Sequence, residues 1–124
     1  MLKSGTRNRR AEVWSEGNGT QPRMEVTGVA IYIMLSTLTE SGAETLLKNP
    51  ARIKEVNREI EGMGVKVVQQ YAVLGPYDFV NIVEAPDNDT VARVSVELGA
   101  RGSVRIVTLT AIPIDSFIGR LQKK

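Results

Sequence analysis

The stretch Leu74-Gly75-Pro76-Tyr77-Asp78-Phe79-Val80 joins two apolar runs, residues 65–74 and 79–83, with almost no spare length between them. Gly75 tolerates backbone angles that other residues avoid, and Pro76 fixes its own φ, so the pair reverses the chain. The sequence therefore predicts a tight β-hairpin here, and we expect the other elements to form a frame around it.

The length and composition are those of a single globular domain. The chain has 124 residues, of which 42% are hydrophobic and 24% are charged, and this is enough for a hydrophobic core. No apolar run approaches the roughly 20 residues that cross a bilayer. The N-terminus has basic residues but lacks the apolar segment of an export signal. We therefore expect a cytoplasmic protein that makes no contact with a membrane.

The chain contains neither cysteine nor histidine. This absence excludes a disulfide framework, a zinc cluster, a cysteine nucleophile and a serine–histidine pair. Any catalysis would have to use carboxylates, tyrosines, lysines or a bound cofactor. We predict no cofactor and no metal site from the sequence.

The basic charge is confined to the start of the chain. Residues 1–23 carry five Lys and Arg against two Glu, a net charge of +3, whereas residues 24–124 have a net charge of −1. A folded domain that binds nucleic acid would carry the positive charge itself, so we expect no nucleic-acid partner. Residues 1–25 are predicted to form a disordered basic arm, and residues 26–124 the folded domain.

Apolar patterning and turn residues predict four strands and four helices. The strands are expected at residues 26–38, 65–74, 77–84 and 104–109. A short helix is expected at residues 40–48, and a longer one with Asn49 as its N-cap and Pro50 in its first position. Asp87 or Asn88 can cap the third helix, whose apolar stripe is Val91, Val94, Ser95 and Leu98. Residues 114–124 form the last helix.

This β-α-β-β-α-β order predicts a ferredoxin-like α+β fold. Right-handed crossovers then place both intervening helices on one face of an antiparallel sheet. We expect the other face to hold Tyr32, Met34, Phe79 and Val107, which is more apolar surface than a monomer normally exposes. A second copy is the simplest cover, giving a homodimer or higher homo-oligomer with a dimeric α/β barrel. The C-terminal helix is the alternative cover.

Tyr77 and Asp78 are the candidate catalytic residues. A tyrosine beside a carboxylate at the entrance of a strand can orient a ligand, donate a hydrogen bond, or act as acid and base. The structural alternative is that Asp78 bonds backbone amides at the turn while Tyr77 packs over the hairpin.

A ligand site is the second functional candidate, with Tyr32, Tyr77, Asp78 and Asn81 as its binding residues. If Val80 faces the helices, Asn81 points into the open face, where a buried amide needs partners. Apolar walls with a few convergent polar groups are typical of small-molecule sites. The alternative is a polar patch inside a dimer interface.

Several stretches resemble the GYD domain family, above all Gly75-Pro76-Tyr77-Asp78-Phe79-Val80. The other similar stretches are 32–39, 49–53, 84–87 and 108–113, and the resemblance covers about residues 29–118. The family is named for its glycine–tyrosine–aspartate signature, here Gly75, Tyr77 and Asp78. The resemblance implies a small bacterial or archaeal α+β domain similar to dimeric ferredoxin-like barrels. It carries no catalytic assignment.

Two functional hypotheses follow. The first is a non-catalytic, oligomeric α+β domain that binds a small molecule at the sheet face or the dimer interface. The alternative is a small cofactor-free enzyme, isomerase or monooxygenase-like, in which Tyr77 and Asp78 act as acid and base and Asn81 orients the substrate.

Overall fold

The computed structural model describes residues 29–123, which form one four-stranded sheet and four helices. In chain order the elements are β1 (Ala30–Leu38), α1 (Glu40–Lys48), α2 (Arg52–Glu61), β2 (Lys66–Ala72), β3 (Phe79–Ala85), α3 (Asn88–Ala100), β4 (Val104–Ala111) and α4 (Ile114–Gln122). The α+β prediction is confirmed. No helix within these residues is long and apolar enough to cross a membrane.

The strand order is β2-β3-β1-β4, as expected for a ferredoxin-like sheet. β1 pairs antiparallel with β4, and β2 pairs antiparallel with β3. The register of the second pair shifts between Val67 and Gln69, so one extra residue bulges from β2. This topology is consistent with the ferredoxin-like arrangement, and the dimeric barrel stays a prediction.

Contacts along the chain define two compact units. Residues 31–111 make up the first, which contains nearly all of the sheet and helices α1 to α3. The second unit includes residues 112–123 with helix α4, whose large apolar side chains Ile114, Phe117, Ile118 and Leu121 are exposed.

Within the first unit, the helices cover the face of the sheet that carries Tyr32, Met34 and Ser36. All three side chains are buried, while the alternate residues of β1 are half-buried. Helix α3 reaches this face through a 2.7 Å hydrogen bond between the hydroxyls of Ser95 and Thr108. Thr108 is the register partner of Met34.

The expected position of Tyr32, Met34 and Phe79 on the open face is therefore wrong. Tyr32 and Met34 are each 2% exposed, and Phe79 lines the space between sheet and helices. The sequence pattern predicted the wrong face because β1 and β3 are apolar on both faces. Alternation alone then cannot tell whether the odd- or the even-numbered residues face the helices.

The other side of the sheet, called the open face below, is apolar as expected. Its apolar residues are Ile31, Ile33, Leu35, Val80, Ile82, Val107 and Leu109, with Tyr71 on the edge strand, and Arg105 and Glu84 lie on the same side near the strand ends. The side chains of Val107, Leu109 and Tyr71 are 44%, 45% and 51% exposed, and the other apolar residues are half-buried. The placement of Val107 is confirmed.

The helix boundaries follow local capping chemistry. Asp87 is the N-cap of α3, and its carboxylate accepts from the Thr90 amide at 2.8 Å and the Thr90 hydroxyl at 2.7 Å. These bonds lower the pKa of Asp87. The predicted stripe of α3 is confirmed, with Val91, Val94 and Leu98 buried.

The start predicted for α2 is wrong by two residues. Asn49 closes α1, because its N–H donates to the Thr45 carbonyl at 2.9 Å. Its carbonyl accepts from Arg52, where α2 begins after Ala51 as the N-cap. The two helices are so close in sequence that Asn49 and Pro50 are used in the turn between them. Of the strand predicted at 26–38, residues 26–28 lie outside the described residues.

Close backbone contact fixes the start of α1 against the start of β4. The Thr39 N–H donates to the Ser103 carbonyl at 3.0 Å, and the Thr39 hydroxyl donates to the Gly102 carbonyl at 2.6 Å. Gly42 is buried in this contact, and a Cβ there would overlap the Ser103 carbonyl oxygen. Glycine is required at position 42 because of this close approach.

We expect Gly42→Ala to lower the free energy of unfolding by about 1–3 kcal/mol, since the new methyl group meets backbone that cannot rotate away. Gly99→Ala is the matched control, because a Cβ at that helical position meets nothing within 4 Å. It should be neutral or stabilise by up to about 1 kcal/mol. Urea denaturation measures both, and equal stability of the two variants would contradict this close approach.

Candidate functional site

The signature turn between β2 and β3 is shaped by backbone geometry. Gly75 has φ of +114°, and nothing lies within 4 Å of the position that its Cβ would take. Glycine is therefore needed here for its dihedral angle and not for space. The Val73 N–H donates to the Asp78 carbonyl at 2.9 Å and closes the turn, while the Leu74 side chain is fully exposed.

Asp78 joins this turn to the neighbouring strand β1. Its main-chain N–H donates to the Ser36 carbonyl at 2.8 Å, and its carboxylate Oδ2 accepts from the Leu38 N–H, also at 2.8 Å. The carboxylate thus bonds a backbone amide, as the structural alternative proposed, although the amide belongs to β1 and not to the turn. A charge-assisted bond of this kind is stronger than one between neutral groups.

Tyr77 is half-buried beside Asp78. Its hydroxyl makes no hydrogen bond to any residue within the described range, so the two candidate catalytic side chains do not bond each other. A proton relay between them has no support in the geometry.

Asn81 lies on the helix-covered side of β3, so its expected position on the open face is wrong. Its Nδ2 donates to the Met34 carbonyl at 3.0 Å and to the Ser36 hydroxyl oxygen at 3.2 Å. Its Oδ1 accepts from Gln70 Nε2 at 2.8 Å. The partners that a buried amide needs are therefore supplied within the chain.

The amide chain continues from the sheet into helix α2. Gln70 and Asn57 exchange two hydrogen bonds, of 2.9 Å and 3.2 Å. Asn57 is a functional residue that the sequence reasoning missed, although a signal was present. It follows Ile53 by four residues and precedes Ile60 by three, which places an amide on the buried face of the helix.

Ser36 is the residue at which these contacts meet. Its carbonyl accepts from Asp78, and its hydroxyl accepts from Asn81. Only 7% of Ser36 is exposed. Asp78, directly before β3, and Asn81, within β3, therefore bond the same residue of β1. Both contacts contribute to the pairing of β3 with β1.

Tyr32 lies apart from this cluster. Its hydroxyl donates to Asn88 Oδ1 at 2.6 Å, at the start of α3. Burial raises the pKa of the Tyr32 phenol, and the negative charges of Asp87 and Asp89 add to the rise. Tyr32 is thus protonated and bonded, and it fixes the start of α3 to β1.

A cavity of about 150 Å³ lies between the sheet and helices α1 and α2. Ser36, Gln70 and Asn81 are on its wall, whereas Tyr32, Tyr77 and Asp78 are not. Of the four residues predicted to bind a ligand, only Asn81 lines this cavity. Within residues 29–123 there is also no cluster of three acidic side chains that could hold a metal ion.

A charged cluster borders the same cavity. Arg101 Nη1 lies 2.6 Å from Glu59 Oε1, and Arg52 Nη1 lies 3.2 Å from Glu59 Oε2. The hydrogen bond from Arg101 is the main cause of a lowered pKa at Glu59. Since the Arg52 and Arg101 side chains are 35% and 37% exposed, the cluster lies at the surface.

Loss of the Asp78 carboxylate should destabilise the fold. We expect Asp78→Ala to lower the free energy of unfolding by about 1–3 kcal/mol, because the Leu38 amide loses a charged acceptor. Tyr77→Phe is the control next to it, and its effect should stay within about 0.5 kcal/mol, since the hydroxyl bonds no described residue. Chemical denaturation of both variants tests this assignment. An unchanged Asp78→Ala variant would remove the structural role of the carboxylate.

The comparisons with known proteins agree with this architecture. The "Glutamine synthetase and cystathionine beta-lyase binding protein" of Thermus thermophilus is 64% identical over 92 residues, which cover 73% of this chain and 97% of that relative. The model of the GYD domain matches residues 32–120, from β1 into α4. The signature Gly75, Tyr77 and Asp78 lies inside the match. The chain belongs to the GYD domain family.

Proposed function

We propose that this protein is a non-catalytic binding protein for metabolic enzymes, with glutamine synthetase and cystathionine beta-lyase as its partners. The observation that carries the proposal is the 64% identity to a relative named for binding these two enzymes. The shared region is 97% of that relative. Its binding surface therefore lies almost entirely in the part that corresponds to this chain. Partners of this kind agree with the expected cytoplasmic location.

The roles of the candidate residues support a binding protein over an enzyme. The Asp78 carboxylate is held by the Leu38 amide, and Asn81 by Gln70, Ser36 and Met34. These groups hold strands together, and no observation favours the cofactor-free isomerase or monooxygenase alternative. The chain has no histidine or cysteine, so an acid–base or nucleophilic mechanism would have to use its carboxylates, lysines, tyrosines or hydroxyl groups.

Self-association through the open face is part of the proposal. A two-fold axis packs a surface against the same surface of the second copy, so that residue i contacts residue j and j contacts i. An apolar surface is complementary to itself in this way, whereas a surface of one charge sign is not. The part of the open face formed by Ile33 and Leu35 on β1 and by Val107 and Leu109 on the edge strand β4 carries no charge. Such a surface favours a second copy as its cover, and a homodimer would present two equal binding surfaces to an oligomeric enzyme.

Direct binding tests the choice of partner. Purified glutamine synthetase and cystathionine beta-lyase from the same organism are immobilised separately, and the full chain is passed over each in a biosensor. We expect saturable binding to both enzymes, confirmed by co-elution in gel filtration. An unrelated enzyme of similar size and net charge is the control. Absence of saturable binding to either enzyme in the micromolar range would overturn the proposal.

Native mass spectrometry tests self-association. We expect the wild-type chain to form a dimer or larger assembly, and Leu109→Glu to give a monomer, because an unpaired carboxylate would be buried in an apolar interface. Val96→Glu is the matched control, since Val96 is 71% exposed on helix α3 and lies outside the open face. A monomeric wild type, or assemblies unchanged in Leu109→Glu, would contradict a role for the open face.

A further inference from the structure

The cavity between the sheet and helices α1 and α2 has the size of a small-molecule site. Its volume is about 150 Å³. An apolar cavity of about 150 Å³ is large enough to hold benzene. A ligand of six to eight heavy atoms is therefore about the largest that fits without movement of the walls. The cavity is independent of the open face, because it lies on the helix-covered side.

Most of the cavity wall is apolar. The apolar side chains come from helices α1, α2 and α3 and from all four strands, and include Leu46, Ile53, Val56, Phe79, Val83 and Ile106. Burial of an apolar molecule here is favourable in proportion to the area that it removes from water. The greater part of a ligand in this space must therefore be hydrocarbon.

One end of the cavity is polar, and Ser36 is the most buried polar residue of its wall. Ser36 is 7% exposed, and its hydroxyl oxygen accepts from Asn81. The Ser36 hydroxyl proton has no acceptor among residues 29–123, whereas Asn81 and Gln70 use both protons of their amide groups. Buried donors are nearly always paired. The unpaired proton therefore points to an acceptor atom inside the cavity.

The rim explains how a molecule would enter. Arg52 and Arg101 are on the wall, and both are held by Glu59 at the surface. Ion pairs that are about one-third exposed are weak and break easily. The rim can thus open without loss of the core. Since each arginine already has a carboxylate partner, the cavity has no unpaired charge to attract an ion.

We propose that this cavity binds a small neutral organic molecule, apolar over most of its surface, with one hydrogen-bond acceptor that receives the Ser36 hydroxyl proton. A ketone or an ester of about seven heavy atoms has this chemistry. The Asn57–Gln70–Asn81 amide chain holds the serine in place through Asn81. Ligand binding in the cavity is independent of the proposed enzyme binding, so a negative result for either one leaves the other in place.

Three probes of similar size and shape test the proposal by titration of the isotope-labelled full chain in amide NMR. Cyclohexanone supplies the acceptor, methylenecyclohexane lacks it, and cyclohexanecarboxylate adds a charge. We expect cyclohexanone to bind in a saturable manner, with the largest shifts at Met34, Phe79 and Ile106, and about fivefold more tightly than methylenecyclohexane, the worth of one neutral hydrogen bond.

Ser36→Ala should weaken cyclohexanone about fivefold and leave methylenecyclohexane unchanged. Ser95→Ala is the matched control, since Ser95 is half-buried and hydrogen-bonded but does not line the cavity. If Ser36→Ala does not fold, the preference of the wild type for the ketone decides alone. Equal binding of ketone and hydrocarbon, tightest binding of the carboxylate, shifts outside the cavity, or no saturable binding would each overturn the proposal.

Discussion

The contact on which the rest of the structure depends is the double hydrogen bond between Asp78 and strand β1. The Asp78 N–H reaches the Ser36 carbonyl, and its carboxylate reaches the Leu38 N–H, both at 2.8 Å. Because β3 begins at the next residue, this contact sets the register of β3 on β1. A shift by one residue would turn every side chain of β3 to the opposite face of the sheet.

The buried amide chain follows from that register. With Asp78 fixed at Ser36, Asn81 lies where its amide reaches Ser36 and Met34, and Gln70 and Asn57 extend the contacts to helix α2. Amides that are hydrogen-bonded to one another in a low-dielectric interior favour one arrangement over its neighbours. They also form the polar end of an otherwise apolar cavity. The signature turn therefore fixes the arrangement of these buried polar groups.

Much of the fold could be predicted because its signals are local. Gly75 and Pro76 predict the chain reversal between β2 and β3. The apolar stripe of α3 predicts that helix, and Asp87 as its N-cap predicts where it begins. Which side of β1 and β3 faces the helices could not be predicted, because both sides of these strands are apolar. The packing of the helices against the sheet determines it. The placements of Tyr32 and Asn81 failed for this reason. Their partners, Asn88 and Gln70, are 56 and 11 residues away.

The central claim is that Asp78 acts as a structural link between β3 and β1. Hydrogen exchange at the Leu38 amide tests it most directly, because that amide donates to the Asp78 carboxylate. We predict slow exchange at Leu38 in the wild type and fast exchange in Asp78→Ala, while the amides of Ile33 and Leu35, which alternate with Ser36 and therefore face β4, stay protected. Fast exchange at Leu38 in the wild type, or a rate unchanged by Asp78→Ala, would contradict it.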